Sequence, residues 1–474
     1  MPEPLLKPLA GAIFLLCYVA IASDRIDKTK VALFGAAAML VLGVVTQREA
    51  FGHYEFREEI IRHFVDESAG PEGAVSEELP GGARSLPGAD WNTIFLLVGM
   101  MVMVGIMRHT GIFEWLAIKC AKAARGDPLR IMILLSVVTA VLSAALDNVT
   151  TVLLIAPVTL VIADALGISA LPLLIPEILA SNIGGTATLI GDPPNIIIGS
   201  KAGISFTEFV TNLGPTIAIV LAVFLATARF VYRKALTVPE ERRAEVMELD
   251  ETKSITNHRL LWRCLGVMTL VLLGFGLHAR LGWEPATVAL GGGALLLLLS
   301  HLEPEEAFRE VEWPTIFFFL GLFIMVGGLV KVGLISDLSR WIAERFAGNV
   351  PVLASVLLWF SAMVSAVVDN IPYTMAMSEV VAEMAGSLPQ TVPGVEAVHQ
   401  PAAMAIWWSL ALGACLGGNG TLVGASANVV VAGIAQRAKQ PIGFLAFAKV
   451  GAPLMVQSVL VAWLCLWVTH LRAL

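Results

Sequence analysis

Long apolar runs separated by short polar connections recur along the whole chain. They cover about 8–23, 31–46, 91–108, 131–166, 171–199 and 211–232, then about 259–279, 285–301, 313–330, 351–384, 402–436 and 448–471. A helix needs roughly 17–25 apolar residues to cross a bilayer, so the pattern predicts an all-α integral membrane protein. Two further stretches, 112–125 and 334–346, mix apolar and charged positions as interfacial helices do.

The runs fall into two matching series. Val31-Ala32-Leu33 and Glu49-Ala50-Phe51 recur 257 positions later as Val288-Ala289-Leu290 and Glu306-Ala307-Phe308. Trp91, Thr93, Gly99, Met103, Gly105 and Gly111 recur 222 positions later at Trp313, Thr315, Gly321, Met325, Gly327 and Gly333, as do Asp147-Asn148 at Asp369-Asn370. Gly184-Gly185, Thr188, Gly191 and Asn195 meet Gly417-Gly418, Thr421, Gly424 and Asn428 at a displacement of 233. Shared apolar composition matches Leu with Val, but not Trp, Asp-Asn and Gly-Gly in order, so the chain is an internal repeat. The organisation expected is a first repeat over 1–232 with an acidic loop insertion at 52–90, a basic linker at 233–258, and a second repeat over 259–474.

Polar residues break both series at equivalent places. If 131–166 and 351–384 are re-entrant hairpins, each half crosses the membrane five times, and an odd number inverts the second half. Each half then holds one re-entrant hairpin and one broken helix. Lys and Arg gather on one side, at Arg25, Lys28, Lys30, Arg108, Lys119, Lys122, Arg125, Arg130 and the linker. By the positive-inside rule that side, with the linker, is cytoplasmic and both termini are outside. A multi-pass protein of a prokaryotic inner membrane is expected.

Composition agrees with this picture. Apolar residues are 57% of the 474 and charged residues 15%, with mean hydropathy +0.79; soluble domains average about 45–50% and 25%. The net charge of −7 gives nucleic acid no basic surface, so the partners expected are the lipid bilayer and a small ion. Cys17, Cys120, Cys264, Cys415 and Cys465 are scattered without disulfide or metal-ligand spacing. The first run, with Lys7 before it, resembles a signal peptide. Asp24-Arg25-Ile26-Asp27-Lys28 follows in place of a small-residue cleavage site, and the run has a second-half counterpart, so it reads as a retained span.

Chemistry concentrates at four breaks. The first holds Asp147, Asn148, Thr150 and Thr151, between arms each expected to be too short to span comfortably. Its counterpart holds Asp369, Asn370 and Thr374, with Pro372 disfavouring helix at Asn370-Ile371. The third holds Ser181, Asn182, Gly184, Gly185, Thr186 and Thr188, closing on Asp192 and Asn195; the fourth holds Gly417, Gly418, Asn419 and Thr421, closing on Ser426 and Asn428. Paired glycines should unwind both helices at membrane depth, and Asp192-Pro193 is a helix restart with Asp as cap. A single Gly-Gly reads first as close packing, but four matched interruptions read as a site. Glu177, after Pro176, fits either a membrane edge or that site, and Ser143 and Ser365 read as packing groups.

From Ile131 to Ser200 there is no Lys, Arg or His, and from Ala347 to Gln436 only His399. The site is therefore expected to hold Asp147, Asp369 and Asp192 with no fixed cation. Carboxylates at that depth need protons or metal cations beside them, so Na⁺ is expected at Asp147, Asn148, Asp369 and Asn370, or H⁺ in its place. No resident cofactor is expected, only Na⁺ or H⁺ as coupling ion.

Leu146-Asp147-Asn148-Val149-Thr150-Thr151, the run from Ser181 to Asn195, Ala366 to Pro372, Gly413 to Thr421 and Gly424-Ala425-Ser426-Ala427-Asn428 together resemble the ion transporter superfamily. The likeness is to its arsenite permease and sodium/proton antiporter branch, with a citrate-transporter-like domain, in the group of the melanosomal P protein and its prokaryotic relatives. It covers the chain from about Val31 onward. The resemblance implies scaffold and transport subdomains, elevator-like alternating access and a homodimer. Where related dicarboxylate carriers have a Ser-Asn-Thr triplet, this chain has the two Asp-Asn motifs. The expected function is secondary active transport of a small ion or anion coupled to Na⁺ or H⁺. Arsenite or antimonite efflux is a narrower option, since a neutral trihydroxide suits an uncharged polar site. A passive ion channel fits an alternating-access plan poorly. An aspartyl enzyme fits poorly as well, because each Asp sits beside Asn in its own repeat, and no enzymatic activity is expected.

Overall fold

The computed structural model describes residues 3–22, 26–51, 89–346, 349–388, 391–392 and 395–474. The acidic insertion expected at 52–90 lies outside the described residues except for its last two. Every long element among the described residues is an α-helix. The first half gives α1 (Glu3–Ala22), α2 (Lys28–Val41), α3 (Gln47–Phe51), α4 (Trp91–Arg108), α5 (Ile112–Ala123), α6 (Pro128–Ala145), α7 (Asn148–Leu166), α8 (Leu171–Gly185), α9 (Pro193–Ala202) and α10 (Phe206–Tyr232). After α11 (Glu240–Glu248) in the linker come α12 (His258–Leu281), α13 (Pro285–Ser300), α14 (Pro304–Arg309), α15 (Trp313–Lys331), α16 (Leu334–Arg345), α17 (Val350–Ser365), α18 (Asn370–Ser387), α19 (Pro401–Gly417), α20 (Ser426–Arg437) and α21 (Phe444–Thr469).

Sequence fixes many of these ends. Asp27, Asp90, Asp127, Asp147, Asn257 and Asn349 each accept a first-turn amide of the helix that follows, and Gly167, Gly203 and Gly282 close helices in the left-handed conformation. Helices α4, α6, α7, α10, α12, α15 and α21 are long and apolar enough to cross a membrane. Their outer faces leave large apolar groups bare, with Trp262 73% and Leu273 59% exposed, and Phe34 and Leu298 of shorter helices are as open. Water would not tolerate so much contiguous apolar surface; lipid does.

Contacts recur in pairs that exchange the halves. Helix α4 packs on α13 as α15 packs on α2, α6 on α8 as α17 on α19, and α9 on α18 as α20 on α7. The match reaches single atoms. A methyl group at Gly99 would meet the Ala289 backbone, and one at Gly321 the Ala32 backbone. Arg108, ending α4, pairs with Glu310 before α15 at 3.0 Å. Lys331, ending α15, pairs at 2.7 Å with Glu49 of α3, which hydrogen bonds hold beside the start of α4. Helices α4 and α15 therefore run antiparallel.

The arms at 131–166 differ from expectation. They are 18 and 19 residues, about 27 Å each at 1.5 Å per residue, long enough to span rather than too short. Even so, Ile131 and Leu135 near the start of α6 share one cluster with Ile162 and Leu166 near the end of α7 and Val246 of α11. The chain thus enters and leaves α6–α7 at the same end, closed by the linker helix. Lys122 and Lys119 reach Glu251 there, and the contact with Lys122 holds the half-buried Glu251 carboxyl below its usual range. Pro372 also differs: helix α18 begins at Asn370, with the proline in its first turn, where no amide donor is needed. The break falls earlier, at 366–369.

Candidate functional site

Each half builds its two breaks into one unit by the same hydrogen bonds. Asp147 Oδ1 accepts from Thr150 N at 2.8 Å and Asp369 Oδ1 from Ile371 N at 3.1 Å, so both carboxylates cap the second arm of a hairpin. Thr188 Oγ1 donates to Ala144 O at 2.6 Å and Thr421 Oγ1 to Ala366 O at 2.5 Å, tying each broken helix to its own hairpin tip. Asn195 Nδ2 donates to Thr188 O at 2.8 Å, and Asn428 Nδ2 to Thr421 O at 2.9 Å, bracing the unwound segments 186–192 and 418–425. Ser143 and Ser365 donate to Ser181 O and Ala414 O, as packing groups do.

The halves meet at Asn182. Its amide donates to Asn419 Oδ1 and Asn428 Oδ1, each at 2.9 Å, and its oxygen accepts from Asn148 Nδ2 at 3.1 Å. Asn370 Nδ2 faces the Asp192 carboxylate at 3.3 and 3.4 Å, and Cys415 Sγ lies 3.4 Å from Asn195 Oδ1. One network therefore joins the breaks of both halves, wholly buried. Asp192 stands at the cap position of α9, but its side chain does not cap; it turns to Asn370 instead.

Some expected site residues serve the fold. Helices α8 and α19 run through Gly184 and Gly417 and unwind only after Gly185 and Gly417. A Cβ on Gly184 would lie 2.1 Å from Ala140 O, and one on Gly417 2.6 Å from Ala362 O, so both are close-packing glycines. Gly185 and Gly418 admit the returning Gly191 and Gly424. Thr186 Oγ1 bonds back to Asn182 O, and Ser181 Oγ donates to Asn148 O at 3.1 Å. In contrast, Asn148 Oδ1, Thr151 Oγ1 and Thr374 Oγ1 are buried without a hydrogen-bond partner. All three are oxygens, and all three lie within the first five residues of the arms capped by Asp147 and Asp369.

The expectation of no fixed cation is wrong. Lys28, the first residue of α2, donates through Nζ to Asp369 Oδ2 at 2.8 Å and to Ser426 Oγ, which itself donates to Asp369 Oδ2 at 2.7 Å. The ammonium also lies 4.9 Å from the centre of the Phe318 ring. The run of sequence around Asp369 has no Lys or Arg, but Lys28 arrives from 341 positions away. Asp147 makes no ion pair among the described residues; Glu312, at the cap position of α15, lines the same cavity as Thr150. Sequence reasoning also missed Cys415, whose signal is its match with Asn182 in the repeat. Glu177 is buried within the protein and accepts from Thr159 Oγ1 at 2.6 Å.

A cavity of about 160 Å³ reaches Thr150 between α4, α7 and Arg309–Glu312. A larger one, about 360 Å³, is bounded by Asn92, Leu189, Gly199, Ser205 and His278 and touches none of the polar network. No group of three or more His, Cys, Asp or Glu suited to a metal occurs among the described residues, so a cation here would take at most two such side chains and complete its shell with amide, hydroxyl and carbonyl oxygens.

The family model described as Citrate transporter matches residues 18–413. The chain belongs to that family. As a member it is a multi-pass membrane transporter, and its relatives agree. An uncharacterized transporter of Mycobacterium tuberculosis is 45% identical over 98% of both chains, and a 46 kDa membrane protein of Mycobacterium leprae is 41% identical over 98% of this chain and 99% of its own. The human P protein is 30% identical over 98% of this chain, which spans 60% of that longer protein. A solved structure, the YdaH transporter of Alcanivorax borkumensis, superposes with TM-score 0.47 at 12% identity over 79% of this chain and 84% of that one.

Proposed function

We propose that this family member is a secondary active transporter that binds a coupling cation, Na⁺ or H⁺, at the tips of two inverted hairpins and moves a small ion with it. The carrying observation is the set of orphaned oxygens, Asn148 Oδ1, Thr151 Oγ1 and Thr374 Oγ1, beside the capping carboxylates of Asp147 and Asp369. A buried oxygen without a donor is costly, and a hard cation is the partner such oxygens suit. Among the described residues Asp147, Asp192 and Asp369 stand against the ammonium of Lys28, so an anionic cargo needs cations to accompany it. Citrate, which gives the family its description, is therefore the first cargo to test, ahead of sulfate and arsenite.

The antiparallel α4 and α15 and the exchanged contacts support an inverted repeat, in which α6–α9 and α17–α20 move against α1, α2, α4, α12, α13 and α15. The basic end, with Arg108, Lys122 and Arg242 around the linker, is the cytoplasmic one. A cysteine placed at exposed Glu248 should then react with an impermeant maleimide in inverted vesicles and not in intact cells; the reverse pattern refutes this orientation.

The function itself is tested by a flux panel in proteoliposomes, with citrate, sulfate, arsenite, amino acids, Na⁺ and Li⁺ under imposed Na⁺ or pH gradients. At least one solute should accumulate above equilibrium only while a gradient is held. Gradient-independent flux that never passes equilibrium identifies a passive pore instead.

A further inference from the structure

Asp147 and Asp369 are equivalent in the repeat but not in their surroundings. The position equivalent to Lys28 in the second half is Pro285, and among the described residues an ammonium pairs with Asp369 and none with Asp147. That ammonium comes from a different body. Lys28 heads α2, which packs along α15 and is pinned to it by the 2.9 Å hydrogen bond from Thr29 Oγ1 to Pro314 O. Asp369 and Ser426 belong instead to the second hairpin and the second broken helix, which pack on α19, α7 and α9, with α18 also touching α15 and α16. Asp369 spends Oδ1 on the cap of α18, leaving Oδ2 as the oxygen turned to Lys28 and Ser426. The Lys28 side chain is 30% exposed, against 11% for that of Asp369, so the lysine is the more open partner of the pair.

We propose that Lys28 is a tethered competitor for the coupling cation: in the empty carrier its ammonium occupies Asp369 Oδ2 and Ser426 Oγ, and a cation binding there expels it. Two cations on one carboxylate oxygen repel each other strongly, so occupancy by one excludes the other. Expulsion also breaks a charged tie between α2 and the α17–α20 elements, linking cation binding to freedom of movement between the two bodies. Asp147, with no such ammonium, binds its cation without competition. The inference rests on the proposed cation site at Asp369, and its test separates the two.

The test titrates the thermal stability of the purified full-length protein with Na⁺, at constant ionic strength against choline, and separately with pH. Wild type is compared with Lys28→Gln, Lys28→Arg, Asp369→Asn and the Lys28→Gln/Asp369→Asn pair. If Lys28 holds the carboxylate in most empty molecules, the apparent affinity is lowered by the fraction left free, so Lys28→Gln should saturate at about tenfold lower cation activity. Lys28→Arg should stay near wild type, and in the Asp369→Asn background position 28 should no longer matter. A Lys28→Gln protein that saturates at or above the wild-type concentration, while Asp369→Asn still weakens the response, overturns this inference and leaves the site standing. A wild type without any saturable cation response overturns the site and the inference together. Lys28→Met replaces Lys28→Gln should the latter melt too early to titrate, and the same two outcomes decide.

Discussion

A side-chain amide donates and accepts at once, which suits asparagine to a buried junction. Asn182 spends both donors on Asn419 and Asn428 and its oxygen on Asn148, so three of the four breaks depend on one residue. Asn182→Ala leaves the oxygens of Asn419 and Asn428 without that donor and the Asn148 amide without its acceptor. At about 1–3 kcal/mol for each of these buried groups, the substitution should destabilise by on the order of 3 to 9 kcal/mol. Unfolding in detergent measures it, and a loss under about 0.5 kcal/mol contradicts the junction's role. Asn182 was legible in the sequence because it interrupts an apolar run. Lys28 was not, because a lysine at a helix start looks like any loop cation until folding brings Asp369 to it. Side-chain direction was hidden too: Asp192 before Pro193 has the form of a cap, yet its carboxylate is claimed by Asn370.

At the scale of elements, the hairpins and broken helices exist because backbones touch. Gly184 on α8 lets the carbonyl of Ala140 on α6 come within reach, and Gly417 does the same on α19 against α17. Gly184→Ala drives a methyl into that carbonyl and should cost at least about 1–3 kcal/mol by overpacking. Gly291 of α13 is the control: a methyl there meets nothing within 4 Å, so Gly291→Ala should gain about 0.5–1 kcal/mol from helix propensity. Melting curves of both variants check the pair; equal stability of the two contradicts the close approach. The four breaks were readable because polar side chains are expensive at membrane depth, and here they stand with glycines at matched places in otherwise apolar runs. The arm lengths were not, since adding Pro128–Arg130 to α6 turns on a cap at Asp127 rather than on hydropathy.

At the scale of the molecule, the repeat carries most of what sequence could give. Matched residues predicted two halves, and the contacts between halves are exchanged pair by pair, from α4 on α13 and α15 on α2 down to Asn182 with Asn428 and Cys415 with Asn195. The equivalence fails at Asp192 against Ala425 and at Lys28 against Pro285. On the proposed function, such differences bias a carrier whose two halves would otherwise respond alike. On that same proposal, Asp147 and Asp369 hold the coupling cation. Asn caps a helix about as well as Asp, so Asp147→Asn and Asp369→Asn remove the charge while keeping the fold. Gradient-driven uptake into proteoliposomes, with wild type and both variants confirmed folded by their melting curves, tests it most directly. Wild type should accumulate its cargo and both variants should fall to the level of empty liposomes; coupled uptake at the wild-type rate by both variants would contradict the account.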